Sequence, residues 1–329
     1  MRAIICDSFG QPAALRVSER DVPQPGSGQV LIRVRAAGVN FADTLMIAGT
    51  YQDTPEPPFS PGMEVAGEVA AVADDVHAVA PGERVLAIVS HGGYAEYALA
   101  RIEDVFAMPA DMPATTAAGF PITYGTAHGA LVWRAQLRPR ETLLVHGAAG
   151  GSGLAAVEVG KALGARVIAT ASSDAKCETA AAHGADRTIN LTTADLRTRV
   201  KDLTDQRGAD VVFDPVGGDV FDASMRCVAW SGRLVVIGFA SGTVPAPRAN
   251  VLMVKNIAVL GLHWQSYRTH APDLLQRQFT ELFRWYAAGL LHPHIGELHD
   301  LADAPTALQR LIDRKSQGKI VLTTSGDAA

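Results

Sequence analysis

The stretch Leu143-Leu144-Val145-His146-Gly147-Ala148-Ala149-Gly150-Gly151-Ser152-Gly153 constrains this chain more than any other. An apolar run, Thr142 to Gly147, predicts a strand, and Ser152 to Leu163 predicts an alanine-rich helix ended by Gly164. Small residues between them let a backbone approach a pyrophosphate, and the helix start offers free N–H groups and a positive dipole end. A strand-to-helix turn can also use glycine for packing alone. The spacing departs from the usual G-x-G-x-x-G, so the surrounding order of elements decides, and it favours dinucleotide binding. The residues assigned to the nucleotide here are Gly147, Ala149, Gly150, Gly151, Ser152 and Gly153.

That order continues beyond the turn. Further strands are expected at Arg166 to Ala171, Asp186 to Asn190, Val211 to Asp214, Arg233 to Phe239 and Ile257 to His263. Helices are expected at about Asp174 to His183 and Ala194 to Asp205. Apolar strands alternating with amphipathic helices predict a doubly wound α/β fold, a parallel sheet covered on both faces. The first third reads differently. Strands at Val30 to Ala36, Val65 to Val72, Arg84 to Val89 and Tyr94 to Ala98 are separated by Gly and Pro, with little helix before residue 113. A helical pattern runs from Ala114 to Ala135. After His270 a helix (Pro272 to Ala288), Pro-containing loops and a helix (Ala304 to Ser316) lead to a strand at Gly318 to Leu322. The expected domains are 1–122, completed by 266–329, and 123–265. Ser325 to Ala329 reads as a loose tail.

Nucleotide choice is read at the end of the second strand. An NAD site usually places Asp or Glu there for the ribose hydroxyls. This chain has Thr170-Ala171-Ser172-Ser173-Asp174-Ala175-Lys176. Ser172, Ser173 and Lys176 can hold a 2′-phosphate by hydrogen bonds and a point charge, which favours NADPH. Asp174 is discordant there, and equally serves as a helix N-terminal acid. Ser173 equally serves as an N-cap.

Bulk properties remove other classes. With 48% hydrophobic and 19% charged residues the 329-residue chain is expected to pack, and its length suits two domains. A net charge of -5 without a basic stripe argues against nucleic-acid binding. No apolar run approaches a membrane span, and Met1 to Gly10 lacks a signal layout. Cys6, Cys177 and Cys227 stand far apart and form no disulfide framework, which suits a reducing cytoplasm and buried apolar roles.

A family resemblance rests on many segments in order: Gly38-Val39-Asn40-Phe41-Ala42-Asp43, Gly49-Thr50-Tyr51, Pro61 to Gly67, Pro81 to Val85, Tyr124 to Ala127, Ala148 to Gly153, Gly184 to Asp186, Asp214 to Gly218, Gly232 to Gly238 and Gly318-Lys319. From Met1 to about Leu322 the chain resembles the zinc-independent quinone oxidoreductases of the medium-chain dehydrogenase/reductase superfamily. The resemblance implies a GroES-like, mostly β catalytic domain joined to a Rossmann domain, the active site in the cleft between them. It also implies a homodimer paired through the last Rossmann strand, near Ile257 to His263.

Zinc alcohol dehydrogenases of the superfamily carry cysteine where this chain has Asn40 and histidine where it has Met63, so no metal is expected. Without zinc an easier acceptor is indicated, a quinone or a conjugated alkene, with the product anion met by hydrogen-bond donors. Tyr51 resembles the proton-donating tyrosine of related enoyl-thioester reductases, and equally can line the pocket or pack on the nicotinamide. Asn40 is assigned to the ribose or the substrate carbonyl, or else caps a loop. Thr126 resembles a residue reaching the nicotinamide, or back-bonds in its helix. Gly238 and Phe239 are expected beneath the nicotinamide, with His263 and Trp264 edging the same pocket, Trp264 alternatively being core. Lys319 matches the family's terminal Gly-Lys pair, or is a solvated cation. Asn190 stands where many relatives carry a tyrosine near the adenosine phosphate, which leaves the strength of the NADPH preference open. The leading expectation is an NADPH:quinone reductase. The alternatives are an NADPH-dependent reductase of enones or enoyl thioesters and a non-catalytic NADPH-binding protein.

Overall fold

In the computed structural model, residues 1–324 are described, and the expected tail Ser325 to Ala329 lies outside them. The chain forms two compact units, Met1–Ile122 with Pro293–Ala329, and Thr123–His292.

The first unit is built on a mixed sheet of seven strands. Its main path runs Ile295–Asp300, Lys319–Thr323, Gln29–Val39, Glu64–Val72, Arg84–Ile88, Val105–Ala107, and Tyr97–Arg101 pairs with Gln29–Val39. The long central strand is buried over most of its length, and Val30, Ile32, Val34, Val65, Val85 and Ile320 join one apolar core. A short helix, Phe41–Ile47, follows that strand directly and buries Met46 and Ile47 in the core. With two three-residue 3-10 turns it makes up the helical content before residue 113, in keeping with the expectation of little helix there. Seven residues are too few to display a helical period clearly.

Other boundaries also shift. Tyr94 is not in the strand expected at Tyr94 to Ala98, because its N–H donates to Pro61 O (2.9 Å) and its carbonyl accepts from Ile4 N (2.9 Å). The ladder begins at Tyr97 instead. The helix expected from Ala114 to Ala135 is three pieces. Ala114–Ala118 stops at Gly119, Pro121–His128 restarts at a proline, and Gly129–Arg134 winds as a π-helix. Proline disfavours α geometry in the residue before it, which accounts for the first break.

The second unit carries a six-stranded parallel sheet in the order Arg187–Asn190, Arg166–Ala171, Thr142–Val145, Ala209–Asp214, Val228–Val236, Ala258–Gly261. Helices Gly151–Ala162, Asp174–Ala182, Leu196–Leu203 and Gly218–Cys227 lie between successive strands in sequence. The first strand is buried throughout, as an apolar run in a parallel sheet requires. Strand order reverses between Thr142–Val145 and Ala209–Asp214, the switch point where folds of this kind bind ligands.

The boundary expected at residue 266 is corrected to 293. Helix Pro272–Ala287 buries Leu275, Phe279, Leu282 and Trp285 on one face. Gln278 Nε2 donates to Gly125 O (2.9 Å), and the Phe279 ring lies 6.3 Å from that of Trp264. An amphipathic helix belongs to whichever core takes its apolar stripe, here the second unit.

Candidate active site and nucleotide turn

In the first unit, the ends of three strands meet in a buried polar cluster. Asn40 closes the central strand and opens the helix Phe41–Ile47, Glu64 starts the next strand, and Lys319 starts the last one. Lys319 Nζ lies 2.5 Å from Glu64 Oε1 and donates to Asn40 Oδ1 at 2.6 Å. Asn40 Nδ2 donates to Glu64 Oε1 (2.9 Å), and Ile122 N donates to Glu64 Oε2 (2.8 Å). Lys319 is 5% exposed and is therefore no solvated cation. The cluster holds the charge pair inside apolar surroundings because every partner is hydrogen-bonded.

Asp43 extends the network. Its Oδ2 accepts from Asn40 N (2.7 Å) and from Tyr94 OH (2.7 Å), while the equally buried Oδ1 has no partner. Burial raises the Asp43 carboxyl to about 6, against the pull of Tyr94, the Asn40 N–H and Lys319. Tyr51 packs on the same core, its phenol pushed up to about 12 by burial and then by the charges of Asp43 and Asp53. Asn40 and Lys319, expected separately, are thus brought together.

The donor set does not fit zinc. Asn40 has both ends of its amide engaged by Glu64 and Lys319, and Met63 is buried at 1% exposure. A thioether and an amide supply neither thiolate nor imidazole, and an ammonium shares the cluster. Among the described residues no group of three or more His, Cys, Asp or Glu side chains is placed to hold a metal ion.

In the second unit, the glycine turn leaves the sheet at its switch point. Gly147 is exposed at φ +57°, and Gly150 caps helix Gly151–Ala162 with no side-chain hydrogen bond to the helix. A Cβ on Gly153 would collide with Gly147 O and stand 2.7 Å from Ala148 Cα. Only glycine there lets the helix start tuck under the turn, leaving first-turn N–H groups for an anion. Ala149 is buried, and Gly151 and Ser152 are half-buried.

Ser172, Ser173 and Lys176 sit past the neighbouring strand tip, where Asn190 lies opposite Ala171. Ser173 serves as N-cap of Asp174–Ala182, its Oγ accepting from Lys176 N at 3.3 Å. Asn190 turns its amide on its neighbours: Nδ2 donates to Asp174 Oδ1 (2.8 Å), and Oδ1 accepts from Thr192 N (3.0 Å) and Oγ1 (2.7 Å). The discordant carboxylate is thereby anchored.

Gly238 and Phe239 follow the strand Val228–Val236, which ends earlier than expected because Ala240 N and Ser241 N donate to Pro215 O and Val216 O. Trp264 is 4% exposed, and its indole N–H donates to Gln278 Oε1 (2.9 Å), the core alternative. His263 is exposed, and Thr126 is buried.

Sequence reasoning missed Asp43, Glu64 and Tyr94 as members of a buried polar network. Acids inside short apolar runs, as in Phe41-Ala42-Asp43-Thr44-Leu45 and Met63-Glu64-Val65-Ala66, were the available signal. The three cysteines are free and buried. Among the described residues no helix is long and apolar enough to cross a membrane.

Two family models match the chain, "Alcohol dehydrogenase GroES-like domain" over residues 26–110 and "Zinc-binding dehydrogenase" over 151–285. The chain is 38% identical over 326 residues to "Quinone oxidoreductase-like protein 2 homolog" of Nematostella vectensis, covering 98% of this chain and 89% of that protein. It is 32% identical to the quinone oxidoreductase of Homo sapiens over 98% of this chain and 97% of that one. The crystal structure of Escherichia coli quinone oxidoreductase complexed with NADPH superposes with a TM-score of 0.91 at 30% identity, covering 98% and 100% of the two chains. The chain belongs to the quinone oxidoreductase family of the medium-chain dehydrogenase/reductase superfamily.

Proposed function

We propose that this protein is an NADPH-dependent reductase acting on a quinone or quinone-like acceptor. The observation that carries the reading is the uncapped helix start at Gly150–Gly153, set at the switch point of a parallel sheet. The NADPH bound by the Escherichia coli relative supports the choice of nucleotide. Gly147, Ala149, Gly150, Gly151, Ser152 and Gly153 would hold the diphosphate, and Ser172, Ser173 and Lys176 the 2′-phosphate. Bound NADPH supplies a hydride at its nicotinamide ring.

The chain's own side chains do the remaining work. Tyr51 keeps its phenolic proton over the whole neutral range and offers it to a developing oxyanion. Asn40 is fixed by Glu64 and Lys319, so its orientation is set before any substrate arrives. Thr126, Asn190, Gly238, Phe239 and His263 complete the proposed cofactor contacts, with Trp264 and Lys319 supporting them from the interior of their units. The strand Ala258–Gly261 is a sheet edge, and the exposed Met253 and Val254 lie just before it, which supports a homodimer through this edge.

A second reading is reduction of an activated double bond with Tyr51 as acid, for which the phenol, packed on the apolar core, is protonated throughout the neutral range though burial makes it a weaker donor than a free phenol. Steady-state rates on a quinone panel, set against enones and acyl-CoA thioesters, separate the two. The quinones are expected to turn over fastest. NADPH oxidation with enones and with no quinone would transfer the assignment to the second reading.

A further inference from the structure

His146 has no part in the chemistry above, yet it stands one residue before Gly147 with its ring closed off from solvent. We propose that His146 is a positioning residue for the dinucleotide, a strut that fixes the glycine turn against the strand leading to Ser172 and Ser173. The inference rests on the NADPH reading.

Regular pairing of the first strand with its neighbours ends at Val145. His146 N then donates to Phe213 O on one side (3.1 Å), and Ala148 N donates to Thr170 O on the other (3.0 Å). The chain crosses between two neighbouring strands through Gly147, a residue with no side chain to anchor it. The imidazole bridges this crossing. Nδ1 lies 2.8 Å from Thr170 Oγ1, and Nε2 lies 2.7 Å from Ser224 Oγ on helix Gly218–Cys227.

The proton order follows from one bond. With the Ser224 Oγ proton donated to Val220 O (2.8 Å), Ser224 accepts from His146 Nε2–H. Nδ1 then accepts from the Thr170 hydroxyl. Thr170, His146, Ser224 and Val220 form a single donor series with a neutral ring at its centre. Burial agrees with this, lowering the imidazole to about 4. Thr170 and Ser224 are themselves fully buried, so the ring gives the Thr170 hydroxyl its acceptor and the Ser224 oxygen a donor beside its bond to Val220 O.

Volume alone does not explain the residue, since an apolar side chain would fill the space and leave both hydroxyls without the ring. What the series adds is a fixed distance between the diphosphate turn and the strand that ends at Ala171. A ligand touching both needs that distance held. One touching a single element does not.

The experiment titrates NADPH and adenosine 2′-monophosphate, a fragment that keeps the 2′-phosphate but carries no diphosphate, into the native protein and His146→Leu well below their unfolding temperatures. The variant is expected to bind NADPH about tenfold more weakly, the scale of one buried hydrogen bond. The KM for NADPH should rise alike, with kcat at saturation and the quinone KM changed by less than about twofold. The fragment should lose less than NADPH. His146→Gln, which keeps a donor toward Ser224, should recover part of the affinity. A folded His146→Leu that binds NADPH as the native protein does overturns the inference, whatever its melting temperature. If that variant does not fold, Thr170→Val and Ser224→Ala carry the test, each expected to weaken NADPH several-fold. Unchanged affinity in both overturns it. A native protein that does not bind NADPH would instead strike the proposed function, and the first titration reports it.

Discussion

Lys319 and Glu64, from opposite ends of the first unit's sequence, form an ion pair of 2.5 Å with side-chain exposures of 6% and 0%. Asn40 bridges the two, accepting from the ammonium and donating to the carboxylate.

Breaking one side of this pair should be costly. Lys319→Met leaves the Glu64 carboxylate buried against an amide and one N–H, at an expected loss of about 3–5 kcal/mol in urea unfolding. Removing both charges, as Lys319→Met with Glu64→Leu, should recover a large part of the loss. Equal losses in the single and double variants would show that the pairing of charges does not set the cost.

Asp43 predicts a stability slope of definite sign. Its folded pKa of about 6 stands above the ordinary 3.8, so the folded state holds the proton more tightly than the unfolded chain. Stability from this group is full below about 4, declines as pH rises to about 6, and is level above. A rise of this size is worth roughly 3 kcal/mol. His146 slopes the other way, losing stability as pH falls from 6.5 toward about 4. The difference in unfolding free energy between native protein and Asp43→Asn isolates the first effect. It should shrink across the Asp43 window, and a flat difference would contradict the buried, proton-binding carboxyl.

Tyr51→Phe separates proton donation from packing. The phenylalanine keeps the contact with the apolar core and removes only the hydroxyl. Enone reduction should fall by roughly a hundredfold or more in kcat, the usual scale for a lost general acid, while quinone turnover survives. Because the phenol ionises only near 12, the enone rate should show no loss from Tyr51 below about pH 10. Equal losses on both substrate classes would remove the acid role.

The features legible in the sequence are those where one local pattern sufficed. Buried parallel strands such as Thr142–Val145 and Arg166–Ala171 are continuous apolar runs, and the glycine turn is written in contiguous residues. Weak or short patterns were lost. Ile295–Asp300, read as loop, is an edge strand of alternating half-buried and exposed residues carrying Glu, His and Asp. Gly218–Cys227 follows one glycine and begins with another, both at positive φ, which hid a helix with a clear apolar face. The buried cluster was illegible for another reason. Asn40 and Lys319 were singled out separately, but that they meet each other and Glu64, with Asp43 and Tyr94 alongside, depends on strands far apart in sequence being brought together by the fold.

The nucleotide preference follows from the neighbouring strand tip. Lys176→Ala removes the point charge expected to meet the 2′-phosphate and should weaken NADPH about tenfold while NADH is little affected. Asn190→Ala frees the Asp174 carboxylate now held at 2.8 Å and should weaken NADPH in the same direction by a smaller factor. Loss of both nucleotides in parallel would place the 2′-phosphate elsewhere.

The central claim is that the turn Gly147 to Gly153 binds the diphosphate of NADPH. Calorimetric titration of the native protein tests it most directly, with Gly153→Val, whose side chain would strike Gly147 O, as the matched control. The account predicts saturable binding of one NADPH per chain, tighter than NADH, and abolished in the control. Absence of nicotinamide dinucleotide binding to the native protein, or undiminished binding to the control, would contradict it.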